Sequence, residues 1–192
     1  MSTSLSSFEN HFTRVASYAA AGDLENLKTA IITALEDKVS INALKEVFVQ
    51  LYAYAGFPRS INSLGTLLSV VEDRKSRGIS DIQGEEPKEL PAGTDKKTYG
   101  DNVQVELIGA SPKGKLFDFA PAIDLFLKEH LFCDIFCRGI LSHKEREIVT
   151  VAILSTIPAV EPQLKAHIQM ALHIGVPQQS IDEILAFTQK KQ

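Results

Sequence analysis

Cysteine, charge of one sign and long apolar runs are what this sequence has least of, and each shortage closes off a class of function. Its 192 residues include two cysteines, Cys133 and Cys137, in FCDIFCRG. On a helix that spacing puts the two Cα atoms roughly 6 Å apart on one face, so a strained disulfide stays open. Phe132, Ile135 and Phe136 surround the pair, and buried hydrophobes are the simpler reading. Two thiols with no neighbouring His or Cys pair are too few for a zinc site, and no metal is expected. The net charge is -4, with lysine and arginine dispersed, which offers no general attraction to nucleic acid or to an anionic membrane. The start, MSTSLSSFENHF, has no basic region followed by an apolar run. No apolar stretch elsewhere approaches the ~20 residues of a membrane span. The expectation is a soluble, cytoplasmic protein with neither nucleic acid nor membrane as partner.

What is present is ordinary globular composition, 44% hydrophobic and 23% charged, in a chain long enough for one core or two small halves. The most informative stretch runs from Ser142 to Gly175 and reads as a helical hairpin. Ser142 with Glu145 forms a capping box, satisfying backbone N–H groups left free at a helix start. Ile148, Val149, Ala152, Ile153 and Thr156 recur on one side, and Pro158 lacks the N–H needed to continue. Pro162 suits the first turn of the next helix; Leu164, Ile168, Ala171 and Leu172 form its stripe, and Gly175 with Pro177 closes it. His167 falls on or beside that buried face, within reach of Arg146, Glu147 or Gln163 once the helices pack.

Upstream, the spacing predicts helices over about Phe8 to Ala21, over LENLKTAIITALEDK, and over about Ile41 to Ala55, with a stop at Gly56 and a restart at Pro58. Three segments are expected: a first helical repeat over 1–78, an irregular linker, lid or arm over 79–119, and a second repeat over 120–192. The middle segment is rich in glycine, proline and charge, and YGDNVQVELIG suggests a short extended piece because Val103, Val105 and Leu107 alternate with polar residues. Helix resumes at Ala120 or Pro121 and runs to near Gly139, and a last one spans about Pro177 to Lys190. At an offset of 137 Leu27 matches Leu164, Lys28 Lys165, Ile31 Ile168, Ala34 Ala171 and Val39 Val176. His167 then falls opposite Ala30 and Glu147 opposite Asn10, so any chemistry belongs to the second copy.

Three runs, KEREIVTVAIL, QLKAHIQMALHIGVP and YAGFPRSINSL, together with LFDFAPAIDLFLKEHLFCDIFCRGIL, resemble the carboxymuconolactone decarboxylase family, which includes the alkylhydroperoxidase D proteins. The resemblance covers most of the chain from about Leu24 onward and is closest to a tandem, two-copy branch. It implies an all-α fold of paired antiparallel helices, two degenerate repeats joined by a long irregular loop, assembling as a homotrimer or another homo-oligomer. The peroxidase branch uses a glutamate, a CxxC pair and a following histidine; here those positions are Glu147, Val160, Gln163 and His167. With both cysteines missing, thiol chemistry has no nucleophile at that site.

The decarboxylase branch needs no thiol, metal or organic cofactor, so none is expected. The implied substrate is a small anionic unsaturated lactone or related carboxylic acid. The implied roles are His167 as proton donor and Glu147 as its orienting partner. Arg146, Arg138 and Arg59 are the candidate substrate anchors, and Tyr54 and Gln163 further substrate-binding residues. A composite pocket is expected, with the first copy's Tyr54–Asn62 segment completing the site of Glu147 and His167. Each residue also has a plainer role: His167 as a satisfied core histidine, Glu147 as an ion-pair partner, Arg59 as a cap on a neighbouring helix end, Tyr54 as core. His130, His143 and His173 read as surface or packing residues. Two alternatives stand beside the enzyme: a non-catalytic oligomeric module, and a thiol redox protein using Cys133 and Cys137.

Overall fold

A computed structural model describes residues 4–110 and 114–189, and among them every regular element is helical. The expected all-α class is the observed one. Helix α1 spans Ser7–Ala21 and opens on a capping box of Ser6 with Glu9. Helix α2 spans Leu24–Glu36, capped by Asp23. Helix α3 runs Ile41–Ser76 but breaks at Gly56 (φ 78°, ψ 164°), where the sequence places the stop, and Pro58 begins its second half. The Ser60 hydroxyl donates to the Phe48 carbonyl across the break at 2.7 Å, tying the two halves of the helix together. After α4 (Lys96–Ile108), α5 (Lys115–Phe119) and α6 (Pro121–Phe126), the chain continues as a π-helical segment, Leu127–Ile135, and one 3-10 turn, Phe136–Arg138. The informative hairpin is α7 (His143–Leu154) and α8 (Glu161–His173), and α9 is Gln178–Gln189. The expected capping box of Ser142 with Glu145 is present. Lys190, where the last helix was expected to end, lies outside the described residues.

Helices α1 and α7 pack against each other at the centre. Helices α2 and α3 flank α1, α8 and α9 flank α7, and α3 reaches across to α7 as well. One apolar cluster therefore draws on both ends of the chain, including Val15, Leu27, Ile31 and Phe48 from the first half and Ile148 and Ile153 from the second. Complete burial of each such side chain contributes about 1.5–3 kcal/mol, and because the cluster is shared that burial holds the two halves to one another.

The middle segment differs from expectation. Residues 96–108 form α4, not an extended piece, because Val103 and Leu107 also stand at helical spacing and, with Gly100 and Gln104, fill one buried face. Val105, the middle member of the apparent alternation, is exposed. Asp95 caps the start by accepting from the Thr98 amide. This face packs on the π-helical segment, and at Gly100 the approach is so close that a Cβ would collide with the Lys128 backbone. Tyr99, Val103, Leu131, Phe132 and Phe136 make a second, smaller cluster there.

Residues 79–95 carry no helix and are tied down along their length. The Ile41 and Asn42 amides donate to the Ile82 and Gln83 carbonyls, each at 2.9 Å, and the Lys88 amide donates to the Arg138 carbonyl at 2.9 Å. The strongest fastening is ionic: Arg74 donates from Nε and Nη2 to the two oxygens of Asp81, both at 2.8 Å, with both side chains buried. Hydrogen bonds from Arg74 hold the Asp81 carboxyl below the ordinary value of 3.8. A depressed carboxyl stabilises the fold above its unfolded value and loses that contribution as pH falls toward the folded value. Acidification below about 3.8 should thus release residues 79–85, seen as a selective gain in amide exchange there while the α1–α7 core stays protected; equal protection at pH 3 and pH 6 would contradict it.

Candidate active site

Helix α7 presents two adjacent titratable residues, Arg146 and Glu147, both fully buried and facing different neighbours. Glu147 faces α8. Its Oε2 lies 2.8 Å from His167 Nδ1, and His167 is 7% exposed. The carboxylate fixes the ring, since Nδ1–H donates to Oε2 and leaves Nε2 as the nitrogen that can exchange a proton. Glu147 Oε1 is buried with no hydrogen-bond partner among the described residues. An orphaned carboxylate oxygen in an interior is rare and is available to a donor from a ligand.

Tyr54 comes from the first half of α3 and packs edge-on to His167, ring centroids 5.6 Å apart at 84°. Its hydroxyl lies 3.3 Å from the Thr150 hydroxyl. Burial, and then the nearby Glu147 carboxylate, push the Tyr54 phenol above its ordinary range, so it stays a neutral hydroxyl at physiological pH. Tyr54 from the first half of the chain and the Glu147–His167 pair from the second therefore do meet.

Arg146 faces the other way, into α3. Its Nη1 donates to Gln50 Oε1 at 2.9 Å and its Nη2 to Glu46 Oε2 at 3.1 Å, and its guanidinium lies 5.4 Å from the Phe136 ring centre. Arg138 takes both oxygens of the same Glu46, donating from Nε at 2.9 and 3.0 Å, with Nη2 2.8 Å from Oε1. Both of these proposed anchors are thus occupied by one buried carboxylate. Gln50 links this network to the tyrosine by donating to Thr150 Oγ1 at 2.8 Å and to the Arg146 carbonyl at 2.9 Å. Glu46 and Gln50 were not singled out as site residues, although the sequence carries their signal: Glu46, Gln50 and Tyr54 stand four apart, a polar line on an otherwise apolar helix.

Arg59 has a different setting. Its guanidinium lies over Gly22, the left-handed residue closing α1, where its charge complements the helix dipole. The plainer expectation of a helix-end cap describes this position. Arg59 also lines a cleft of about 470 Å³ with Tyr54, Ala55, Thr156 and Pro158. His167 is not part of that wall; Tyr54 is what the cleft and the acid–base pair share. Gln163 is exposed on α8, away from the interior.

Residues 121–189, from α6 to the end of α9, match the family model described as the carboxymuconolactone decarboxylase family. The match covers this stretch and none of the chain before α6, so the likeness to that family is one of the second half. No curated protein matches the chain. The family segment contains both Glu147 and His167, and the all-helical architecture is of the alkylhydroperoxidase D-like kind. Tyr54, Gln50 and Arg59 come from outside the matched segment.

The family's thiol chemistry has no equivalent at the acid–base pair, where Val160 and Gln163 stand. Cys133 and Cys137 are free thiols, Cys133 buried and Cys137 partly so. Burial pushes the Cys133 thiol up to about 11, and raises Cys137 as well, the opposite of what a reactive thiolate requires. His130 bridges Tyr52 and Asp134, and His143 pairs with Glu106 at 2.8 Å. Among the described residues no group of three metal-ligating side chains converges. None of the helices described is long and apolar enough to cross a membrane.

Proposed function

We propose that the protein is a cofactor-free decarboxylase of the carboxymuconolactone decarboxylase type, acting on a small anionic unsaturated lactone or a related carboxylic acid. The observation that carries this reading is the buried Glu147–His167 pair with its fixed tautomer. Cleavage of the carboxyl C–C bond releases CO2 and leaves the electron pair delocalised as a dienolate. His167 acts as the imidazolium: with Nδ1–H held by Glu147, Nε2 gives its proton to carbon, the ring is left neutral with its proton on Nδ1, and Nε2 regains a proton from solvent. Arg59 is the anchor for the substrate's anionic group, because its guanidinium makes no hydrogen bond to the described residues and borders the cleft. Arg138, Arg146 and Gln50 serve as positioning residues through Glu46 and Thr150. The Tyr54 ring swings aside on binding, since it stands between the cleft and His167.

The test is CO2 release from a panel of unsaturated lactone acids, wild type beside His167→Asn. Release by the wild type and its loss in the variant are expected. Silence across the panel would favour a second reading, a non-catalytic oligomeric member. That reading is supported by the exposed stripe Phe57, Ile61 and Leu68 on the second half of α3, a surface that assembly into a homotrimer would cover. A thiol redox role has no support from the buried, high-pKa Cys133.

A further inference from the structure

The first hairpin, α1 and α2, encloses an open polar cleft of about 390 Å³, within the range of small-ligand sites. Asn10 and Ala30 line it, the two residues that the offset of 137 places opposite Glu147 and His167. In the second hairpin the imidazole of His167 occupies the space between the helices; in the first, the methyl of Ala30 leaves that space empty. This hairpin also has its own histidine–carboxylate pair, with the helices exchanged: the histidine is next to Asn10 on α1 and the carboxylate stands about two turns beyond Ala30, at the end of α2. His11 on α1 lies 2.8 Å through Nε2 from Oδ2 of Asp37, the C-cap of α2. His11 is buried and Asp37 is largely exposed at the cleft's edge.

We propose that this cleft binds a small hydroxycarboxylate monoanion, independently of the Glu147–His167 site. Arg14 supplies the charge. Its Nε donates to Asn10 Oδ1 at 2.8 Å and its guanidinium stacks 4.9 Å from the Phe187 ring centre, so the group is held in place. Its two Nη groups have no hydrogen-bond partner among the described residues, and that fork matches a carboxylate. The Asn10 amide nitrogen likewise keeps its donors. Thr29 and Thr33 donate their hydroxyl hydrogens back to the Glu25 and Thr29 carbonyls, leaving lone pairs on the cleft side of α2 to accept from a ligand hydroxyl. A wall with cationic donors on α1 and hydroxyl acceptors on α2 selects a ligand carrying both a carboxylate and a hydroxyl. The ring of Tyr18 and the Ala30 methyl add an apolar contact for its carbon frame.

The experiment is an amide NMR titration of the full chain with mandelate, with phenylacetate as the analogue lacking the hydroxyl. Saturable shifts at the Asn10 side chain and the Ala30 and Thr33 amides are expected, with phenylacetate the weaker ligand. Arg14→Gln, an exposed substitution that leaves the core untouched, should weaken mandelate binding by about tenfold or more. Ala30→Leu, which fills the cleft, should abolish it, and should this variant fail to fold the arginine variant decides. His167→Asn should leave binding unchanged whatever it does to turnover, which separates this site from the proposed active site. Absence of saturable shifts, shifts confined to the Tyr54–Arg59 cleft, or unaltered affinity in Arg14→Gln would each overturn the proposal.

Discussion

Replacing His167 by asparagine is expected to lower CO2 release by roughly 10²–10⁴-fold, the usual contribution of a positioned general acid, while leaving the fold intact. The choice of asparagine matters. Its amide nitrogen occupies nearly the position of imidazole Nδ1 and can still donate to Glu147 Oε2, so the buried carboxylate keeps its partner. What is removed is Nε2 and with it the proton. Alanine would confound the result, because both Glu147 oxygens would then be buried without a donor, at a cost of about 1–3 kcal/mol or more. A structural histidine predicts the reverse pattern: full turnover in the asparagine variant and lost stability in the alanine one. Measuring turnover and melting temperature on both variants separates the two roles.

The largest effect on stability is expected at Glu46, not at the acid–base pair. Its carboxylate is 1% exposed and answers two guanidinium groups, Arg138 and the fully buried Arg146. Burial holds the Arg146 guanidinium below its ordinary pKa, and the Glu46 charge is the first influence opposing that. Without it the cation keeps only Gln50 and the Phe136 ring. Breaking a buried pair from one side costs about 3–5 kcal/mol, a large share of the ~5–15 kcal/mol that keeps a domain folded. Glu46→Leu should therefore lower the melting temperature by roughly 10 °C. Adding Arg146→Met should recover part of the loss, because it removes the charge left unpaired. If Glu46→Leu unfolds with the wild-type midpoint, the network is ornamental and Arg146 is free to serve a ligand.

The helix starts and stops were legible because they depend on near neighbours. Ser142 and Glu145 satisfy each other's backbone within three residues, Gly56 two residues before Pro58 can take the positive φ that breaks the helix, and Pro162 suits only a first turn. The middle segment was not legible, since Val103 and Leu107 satisfy a strand period and a helix period equally, and the π-helical partner that selects helix lies more than twenty residues away. The site was legible in part. His167 and Glu147 stood out because the other half of the chain carries Ala30 and Asn10 at the same offset, yet Glu46 and Gln50 passed unremarked as members of an apolar helix.

Arg146 and Glu147 mark the boundary between what the sequence determined and what the tertiary structure decided. The sequence alone determined an all-helical chain, its principal caps and breaks, and a carboxylate within a hairpin's reach of His167. It also proposed Arg146 as a substrate anchor, because adjacent residues on a helix point only about 100° apart and either side can face a site. Packing resolved the pair. With α8 on one side of α7 and α3 on the other, Glu147 meets the histidine and Arg146 is turned to Glu46 and Gln50. No local rule sets which neighbour lies on which side, because that follows from how both halves of the chain fill one core.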